Sequence, residues 1–165
     1  MVGGTGILAP AAAALARTGA QVTIVARGAR NDPRAGLFGA PADVRDPAAL
    51  ARALDAAIAA RGAFGLALAY APWAPAPAQA ALAARVPGLL VHVLTSEWAA
   101  PGRSRAERDA WAPDGAGTTR RLTLGWRAGG WHSAAEVSAA ALALALGAAP
   151  EATLGAIRPW ADRPG

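Results

Sequence analysis

Apolar residues along this chain keep two rhythms. Short, mainly apolar runs fall at residues 22–25, 64–70 and 89–94, as in strands buried on both faces. Elsewhere apolar positions recur three or four apart, the spacing of one helix face. The best-marked helix opens at Asp46-Pro47, a capping carboxylate followed by proline at the first helical position. It carries Leu50, Leu54 and Ile58 before Gly62 closes it. A helix over residues 7–18 tolerates Pro10 because it falls in the first turn, and Gly19 ends it. Ser133 and Glu136 form a capping box that starts a helix over 134–146, with Gly147 past its end. A short helix over 78–85, strands over 119–125 and 152–157, and a weak strand over 41–44 complete the pattern. Residues 97–117 are long and irregular, but Ser104 and Glu107 repeat the capping-box pattern and predict a short helix to about Trp111.

Strands alternating with helices imply parallel crossovers. The expected fold is α/β: a doubly wound, Rossmann-like, mostly parallel sheet in three layers, forming one NAD(P)-binding domain over residues 1–165.

The junction Val2-Gly3-Gly4-Thr5-Gly6-Ile7-Leu8-Ala9 has the shape of a dinucleotide-binding turn. Glycines allow a tight turn and let a pyrophosphate approach bare N–H groups at a helix N-terminus, where the dipole favours anions. Only Met1 and Val2 precede the first glycine, whereas an ordinary strand has about five residues. The first strand is therefore expected to be truncated, with Met1 downstream of the true start.

Composition changes this picture little. Apolar residues make up 54% of the 165, but alanine dominates them and aromatics are only 5%. The core must rest on scattered Leu, Val, Ile and Trp. The formal charge of +5 is carried by arginine alone, for the chain has no lysine. That matches the bias of a GC-rich genome better than a nucleic-acid surface, because Glu107, Asp109 and Asp114 interleave with Arg103, Arg105, Arg108, Arg120 and Arg121. Absence of cysteine excludes disulfides, thiolate metal sites and cysteine nucleophiles. No apolar stretch is long enough to span a membrane. The expected compartment is cytoplasmic, without membrane or nucleic-acid partners.

Taken together, these residues resemble the short-chain dehydrogenase/reductase superfamily, in particular its small atypical members. Gly3, Gly6 and Ala9 are in register with the Gly-x-x-Gly-x-x-Gly/Ala turn. Ala42-Asp43-Val44-Arg45-Asp46 is similar to the family's Asp-Val clamp, in which a carboxylate meets the adenine amino group. The C-terminal stretch, closing with Ile157-Arg158-Pro159-Trp160, resembles short bacterial proteins of that superfamily. The resemblance implies a cofactor site made by Gly3, Thr5, Gly6, Ile7, Leu8, Arg27, Asp43 and Val44. Where NAD-selective folds end the second strand with a carboxylate, this chain has Arg27, with Arg30 nearby. A guanidinium there suits the 2′-phosphate of NADP(H), so NADP(H) is expected over NAD(H).

The departures from the family are equally plain. Its Tyr-x-x-x-Lys acid/base pair is impossible in a chain without lysine, and Ala74 stands four residues after Tyr70, the only tyrosine. Ser96 falls where the family's serine would fall, past the strand at 89–94. Tyr70 and Ser96 are the weak candidates for orienting a carbonyl. His92, inside an apolar run, reads as a core histidine, and His132, beside the Ser133 cap, as structural. Two histidines so placed make a metal site improbable. Trp73 and Trp98 follow strand ends, where ligands bind in this fold. They, and less so Trp111, Trp126, Trp131 and Trp160, either wall a substrate pocket or cover the core and a homo-oligomer interface. The expected function is NADP(H) binding by an oxidoreductase acting on a small-molecule carbonyl or alcohol of undefined identity. The alternative is a catalytically inactive dinucleotide-binding sensor or regulatory module without a substrate.

Overall fold

The computed structural model describes residues 1–164. Its elements are α1 (Ala9–Arg17), β1 (Val22–Ala26), β2 (Leu37–Pro41), α2 (Pro47–Arg61), β3 (Leu66–Ala69), α3 (Ala76–Ala83), β4 (Leu89–Thr95), α4 (Arg105–Trp111), β5 (Thr118–Leu124), α5 (Ala134–Leu146) and β6 (Glu151–Leu154). Every strand pairing is parallel: β1 with β2, β3 with β4, β4 with β5, and β5 with β6. The two groups of strands are joined by Val2, which bridges Val25 on one side and Ala69 on the other. Its N–H donates to Leu68 O (2.9 Å) and its carbonyl accepts from Tyr70 N (3.1 Å). The short first strand is thus a stub at the centre of a doubly wound sheet.

Two apolar layers lie on opposite faces of the sheet. Leu50 and Leu54 of α2 and Leu82 of α3 pack with Val25 and Leu90 on one face. On the other, Ala11 of α1 and Val137, Ala141 and Leu144 of α5 pack with Leu68, Val91, Leu122 and Leu124. Alternate residues of one strand serve opposite layers, which is why β3 and β4 read as mainly apolar runs without alternation. On α2 the buried stripe is completed by Ala57 rather than the expected Ile58, which is half-buried.

Caps behave as their chemistry demands. Asp46 accepts from Ala48 N and Ala49 N at 2.9 and 3.0 Å. Both capping boxes close: Ser104 with Glu107 on α4 and Ser133 with Glu136 on α5. The irregular stretch at 97–117 is accordingly structured, with a 3-10 turn over Ser96–Ala99 and then α4. Without lysine, the C-terminus of α5 is capped by Arg120, whose guanidinium donates to Leu144 O, Ala145 O and Gly147 O.

Several boundaries differ from the sequence pattern: the short helix is Ala76–Ala83 rather than 78–85, the last strand is Glu151–Leu154 rather than 152–157, and β3 is Leu66–Ala69 rather than 64–70. The strand expected at 41–44 is β2, Leu37–Pro41. Asp32 caps a 3-10 turn over Pro33–Ala35, Gly36 reverses the chain in the left-handed region (φ 71°), and pairing with β1 begins at once at Leu37. Leu-Phe-Gly-Ala-Pro has no β-branched residue, which leaves propensity silent. Helix α1 begins at Ala9 rather than residue 7, because the glycine turn extends through Leu8.

Candidate functional site

Chain order runs from the Val2 stub outward through β1 to β2, then returns to β3 on the stub's other flank. The reversal leaves a crevice outside the carboxyl ends of the strands, where open α/β sheets hold their ligands. A cleft of about 450 Å³ occupies that place. Its walls are the glycine turn (Gly3, Thr5, Gly6, Ile7), the end of β1 (Arg27), the loop after β2 (Asp43, Val44) and the loop after β3 (Tyr70, Trp73). Seven of the eight predicted cofactor residues meet here. The exception is Leu8, whose side chain is wholly buried in the core against α5. Only its backbone belongs to the turn.

Two glycines of the turn differ in why they must be glycine. Gly3 has φ +76°, and a Cβ there would lie 2.5 Å from Tyr70 O. It lets the turn pass under the end of β3 and is needed by the fold itself. Gly6 has no positive φ, and a Cβ on it would meet nothing within 4 Å. Nothing inside the protein requires that residue to be bare, and its free side faces the cleft.

The turn also leaves donors unspent. Gly6 N bonds Gly3 O and Ala9 N bonds Gly6 O. Among the described residues, the N–H groups of Thr5, Ile7 and Leu8 find no acceptor. Leu8 at the N-cap of α1 supplies no side-chain cap, and Pro10 has no N–H to satisfy. The positive end of α1 therefore opens on the cleft with free amides. Ser138 of α5 steadies the turn by donating to Ile7 O at 3.0 Å.

The opposite wall is cationic. Arg27 is exposed and, among the described residues, has neither a hydrogen-bond nor an ion-pair partner. Asp43 is engaged: its two carboxylate oxygens accept from Arg45 Nε (3.1 and 3.2 Å), Nη2 (2.7 Å) and the Arg45 amide (2.9 Å). The Arg45 side-chain bonds hold the Asp43 carboxyl well below its usual range, at about 2. An adenine amino group would have to share that carboxylate with Arg45.

A second cavity of about 220 Å³ adjoins the cleft, and Ile7 and Tyr70 line both. Ser96, Trp131, His132 and Arg163 complete much of its wall. The two weak candidates, Tyr70 and Ser96, are thus brought to one pocket. Burial raises the Tyr70 phenol above its ordinary pKa, the opposite of what a tyrosinate base needs. Ser96 is buried, and its Oγ accepts from Arg163 Nε at 2.9 Å. Trp73 stands 77% exposed at the lip of the cleft. Trp98, also expected near substrate, instead donates to Arg108 O and lines a separate polar hollow with Arg105 and Arg121. Trp131, one of the tryptophans expected at a pocket or the core, reaches the pocket from the β5–α5 loop, while residue spacing gave no signal for Arg163 from the C-terminal segment.

The remaining polar groups have structural work. His92 Nε2 donates to Pro113 O at 3.0 Å from inside the core. Arg121 pairs with Asp114 (2.7 Å) and Arg105 with Asp109 (3.5 Å). Among the described residues no cluster of His, Asp and Glu could hold a metal ion, and no helix is long and apolar enough to cross a membrane.

Neither a protein-family model nor a curated protein matches the chain by sequence. Solved structures match it closely in shape. A Serratia marcescens short-chain dehydrogenase/reductase mutant superposes with TM-score 0.68 at 16% identity, over 94% of this chain and 93% of that one. A metagenomic short-chain oxidoreductase in complex with NADP gives 0.63 at 15%, over 93% and 94%. Ribose-5-phosphate isomerase from Brucella melitensis gives 0.63 at 18%, over 94% and 88%. The chain has the fold of the short-chain dehydrogenases/reductases. The isomerase shows that this shape alone does not choose a reaction.

Proposed function

We propose that the cleft binds NADP(H) and that the protein is an oxidoreductase for a small carbonyl or alcohol. The observation that carries this reading is the junction at the switch point. Free amides of Thr5 and Ile7, a glycine with no internal reason to be glycine, and an unpartnered Arg27 belong to residues lining one crevice. These groups fit a dinucleotide phosphate by phosphate. The amides at the α1 N-terminus suit the pyrophosphate, and Arg27 suits a 2′-phosphate as a charge-assisted, forked donor. Val44 and Asp43 border the adenine end, and Trp73 offers an exposed face at the rim. The other end of the cleft stops at Ile7 and Tyr70, the mouth of the second cavity. A nicotinamide cofactor would supply hydride chemistry there, with the protein positioning both partners. The metagenomic relative in shape binds NADP, which agrees with this reading.

A second reading is favoured by Tyr70. With its phenol raised by burial and no lysine in the chain, the protein would hold NADP(H) without turning it over, as a sensor or regulatory module. Monitoring NADPH absorbance across a panel of small carbonyl compounds separates the two, since only the enzyme consumes it. The cofactor site itself is tested by adding NADP+ to 15N-labelled protein. The expected result is that the amides of Thr5, Ile7 and Leu8 shift most. Shifts confined to other surfaces would refute the assignment.

A further inference from the structure

The base end of the cleft carries a carboxylate that the protein has already used. Among the described residues lining the cleft, Asp43 is the only acidic one. Its backbone is fixed from both sides. Ala42 N donates to Ala26 O at 3.3 Å, which ties the loop to the end of β1. Asp43 O accepts from Asp46 N at 3.0 Å, beside the cap of α2. The side chain is held as closely. Oδ1 accepts from the Arg45 amide (2.9 Å) and from Arg45 Nε (3.1 Å), while Oδ2 accepts from Nε (3.2 Å) and Nη2 (2.7 Å). A carboxylate offers about four lone-pair sites, and Arg45 alone directs a contact at each.

An ionised carboxylate accepts and cannot donate. On the wall of a purine site, its use in reading the ring edge is to take an N–H from an exocyclic amino group. Here that amino group, a neutral donor, would have to displace a guanidinium N–H. The guanidinium adds charge and a second, parallel bond that an amino group cannot match. Water screens the pair, whose side chains are 61% exposed for Arg45 and 33% for Asp43. Local geometry still keeps the carboxylate occupied, because the fork and the amide belong to one residue of the same loop. The surrounding wall is Ala42, Val44, Ala71 and Pro72, with Trp73 at the lip. Their side chains meet the face of a ring rather than read its edge. Arg45 itself does not line the cleft, so it acts only through Asp43.

We propose that Arg45 is a positioning residue that sets base selectivity: by occupying Asp43 it silences the reading of the amino group, and the site accepts a purine dinucleotide phosphate carrying either an amino group or a carbonyl at that ring position. The clamp expected between Asp43 and the adenine amino group is thus closed by the chain's own arginine. The proposal rests on the NADP(H) reading above and adds what the base end selects. Selection falls instead to the phosphates, through the free amides of Thr5 and Ile7 and the unpartnered Arg27.

NADPH and its analogue with hypoxanthine in place of adenine differ only in the base. Each is titrated calorimetrically into the full chain and into Arg45→Ala, which removes three of the four contacts and keeps the backbone amide. Thermal unfolding shows that the variant has folded, and the parent comparison needs no variant. The parent should bind the two dinucleotides within about threefold of each other. In Arg45→Ala the ratio should move at least about fivefold towards NADPH, because the freed carboxylate gains the amino group and opposes a carbonyl. A merely structural role would weaken both ligands alike and leave the ratio unmoved. A parent ratio beyond about threefold, or a smaller movement than about fivefold in Arg45→Ala, overturns the proposal. With NADPH still saturating the parent, either of those results leaves the cofactor reading standing. Saturation by neither dinucleotide removes that reading, and the proposal falls with it.

Discussion

Gly6 and Gly3 sit three residues apart in one turn, and they should fail in different ways. In Gly6→Ala the new methyl meets no protein atom within 4 Å and φ is not in the left-handed region. Stability should be unchanged or raised by up to about 1 kcal/mol, because alanine restricts the unfolded chain. The same methyl enters the space from which a pyrophosphate reaches the Thr5, Ile7 and Leu8 amides. An oxygen bonded to an amide at about 2.9 Å has little room beside a Cβ that needs about 3.5 Å. Losing one charge-assisted hydrogen bond costs about 1.5–3 kcal/mol, so NADPH affinity should fall roughly 10- to 150-fold. Gly3→Ala places its Cβ 2.5 Å from Tyr70 O at φ +76°, and should destabilise the fold by about 2 kcal/mol or more. Thermal unfolding and an NADPH titration on both variants separate these effects. Undiminished NADPH binding by Gly6→Ala, or destabilisation as large as that of Gly3→Ala, would refute the reasoning.

Other consequences are independent of that pair. Arg27→Ala should weaken NADPH about tenfold and leave NADH within a factor of two, because an exposed guanidinium–phosphate contact sits at the low end of charged hydrogen bonds; equal losses for both cofactors would show that Arg27 does not face the 2′-position. Burial lowers the His92 pKa to about 4 from an ordinary 6.5. Between those values the unfolded chain binds the extra proton, so His92 favours the folded state fully above pH 6.5. That contribution shrinks by about 3 kcal/mol as pH falls to 4. Denaturant midpoints measured across that window should show a drop that His92→Phe removes. Ser133→Ala opens the capping box of α5 and should lower Tm by about 3 °C, for a loss near 1 kcal/mol, as calorimetry would show.

The elements legible from sequence were those whose ends carry chemistry. Asp46-Pro47, the Ser104–Glu107 box and the Ser133–Glu136 box each place a helix start at the observed residue. Buried parallel strands announce themselves as apolar runs. By contrast, β2 is an edge strand of Leu, Phe, Gly, Ala and Pro, and its pairing is imposed by the Gly36 reversal and by contact with β1. The glycine turn, Arg27, Asp43 and Val44 could be placed together because they follow strand ends, and the sheet order brings strand ends to one crevice. What pairs with what was not legible. Arg45 occupying Asp43 and Arg163 reaching Ser96 across 67 residues both depend on side-chain directions that spacing does not encode. His132 read as a structural neighbour of a cap because its unsatisfied nitrogens become visible only when the surrounding wall is assembled.

The central claim is a cofactor site at the sheet's switch point that prefers the phosphorylated dinucleotide. Its most direct test is an equilibrium titration of the full chain with NADPH and NADH at one ionic strength, followed by tryptophan fluorescence. Trp73 at the cleft rim is the expected reporter. Saturable binding of both, with NADPH at least tenfold tighter, is the predicted result. Saturation by neither would contradict the account.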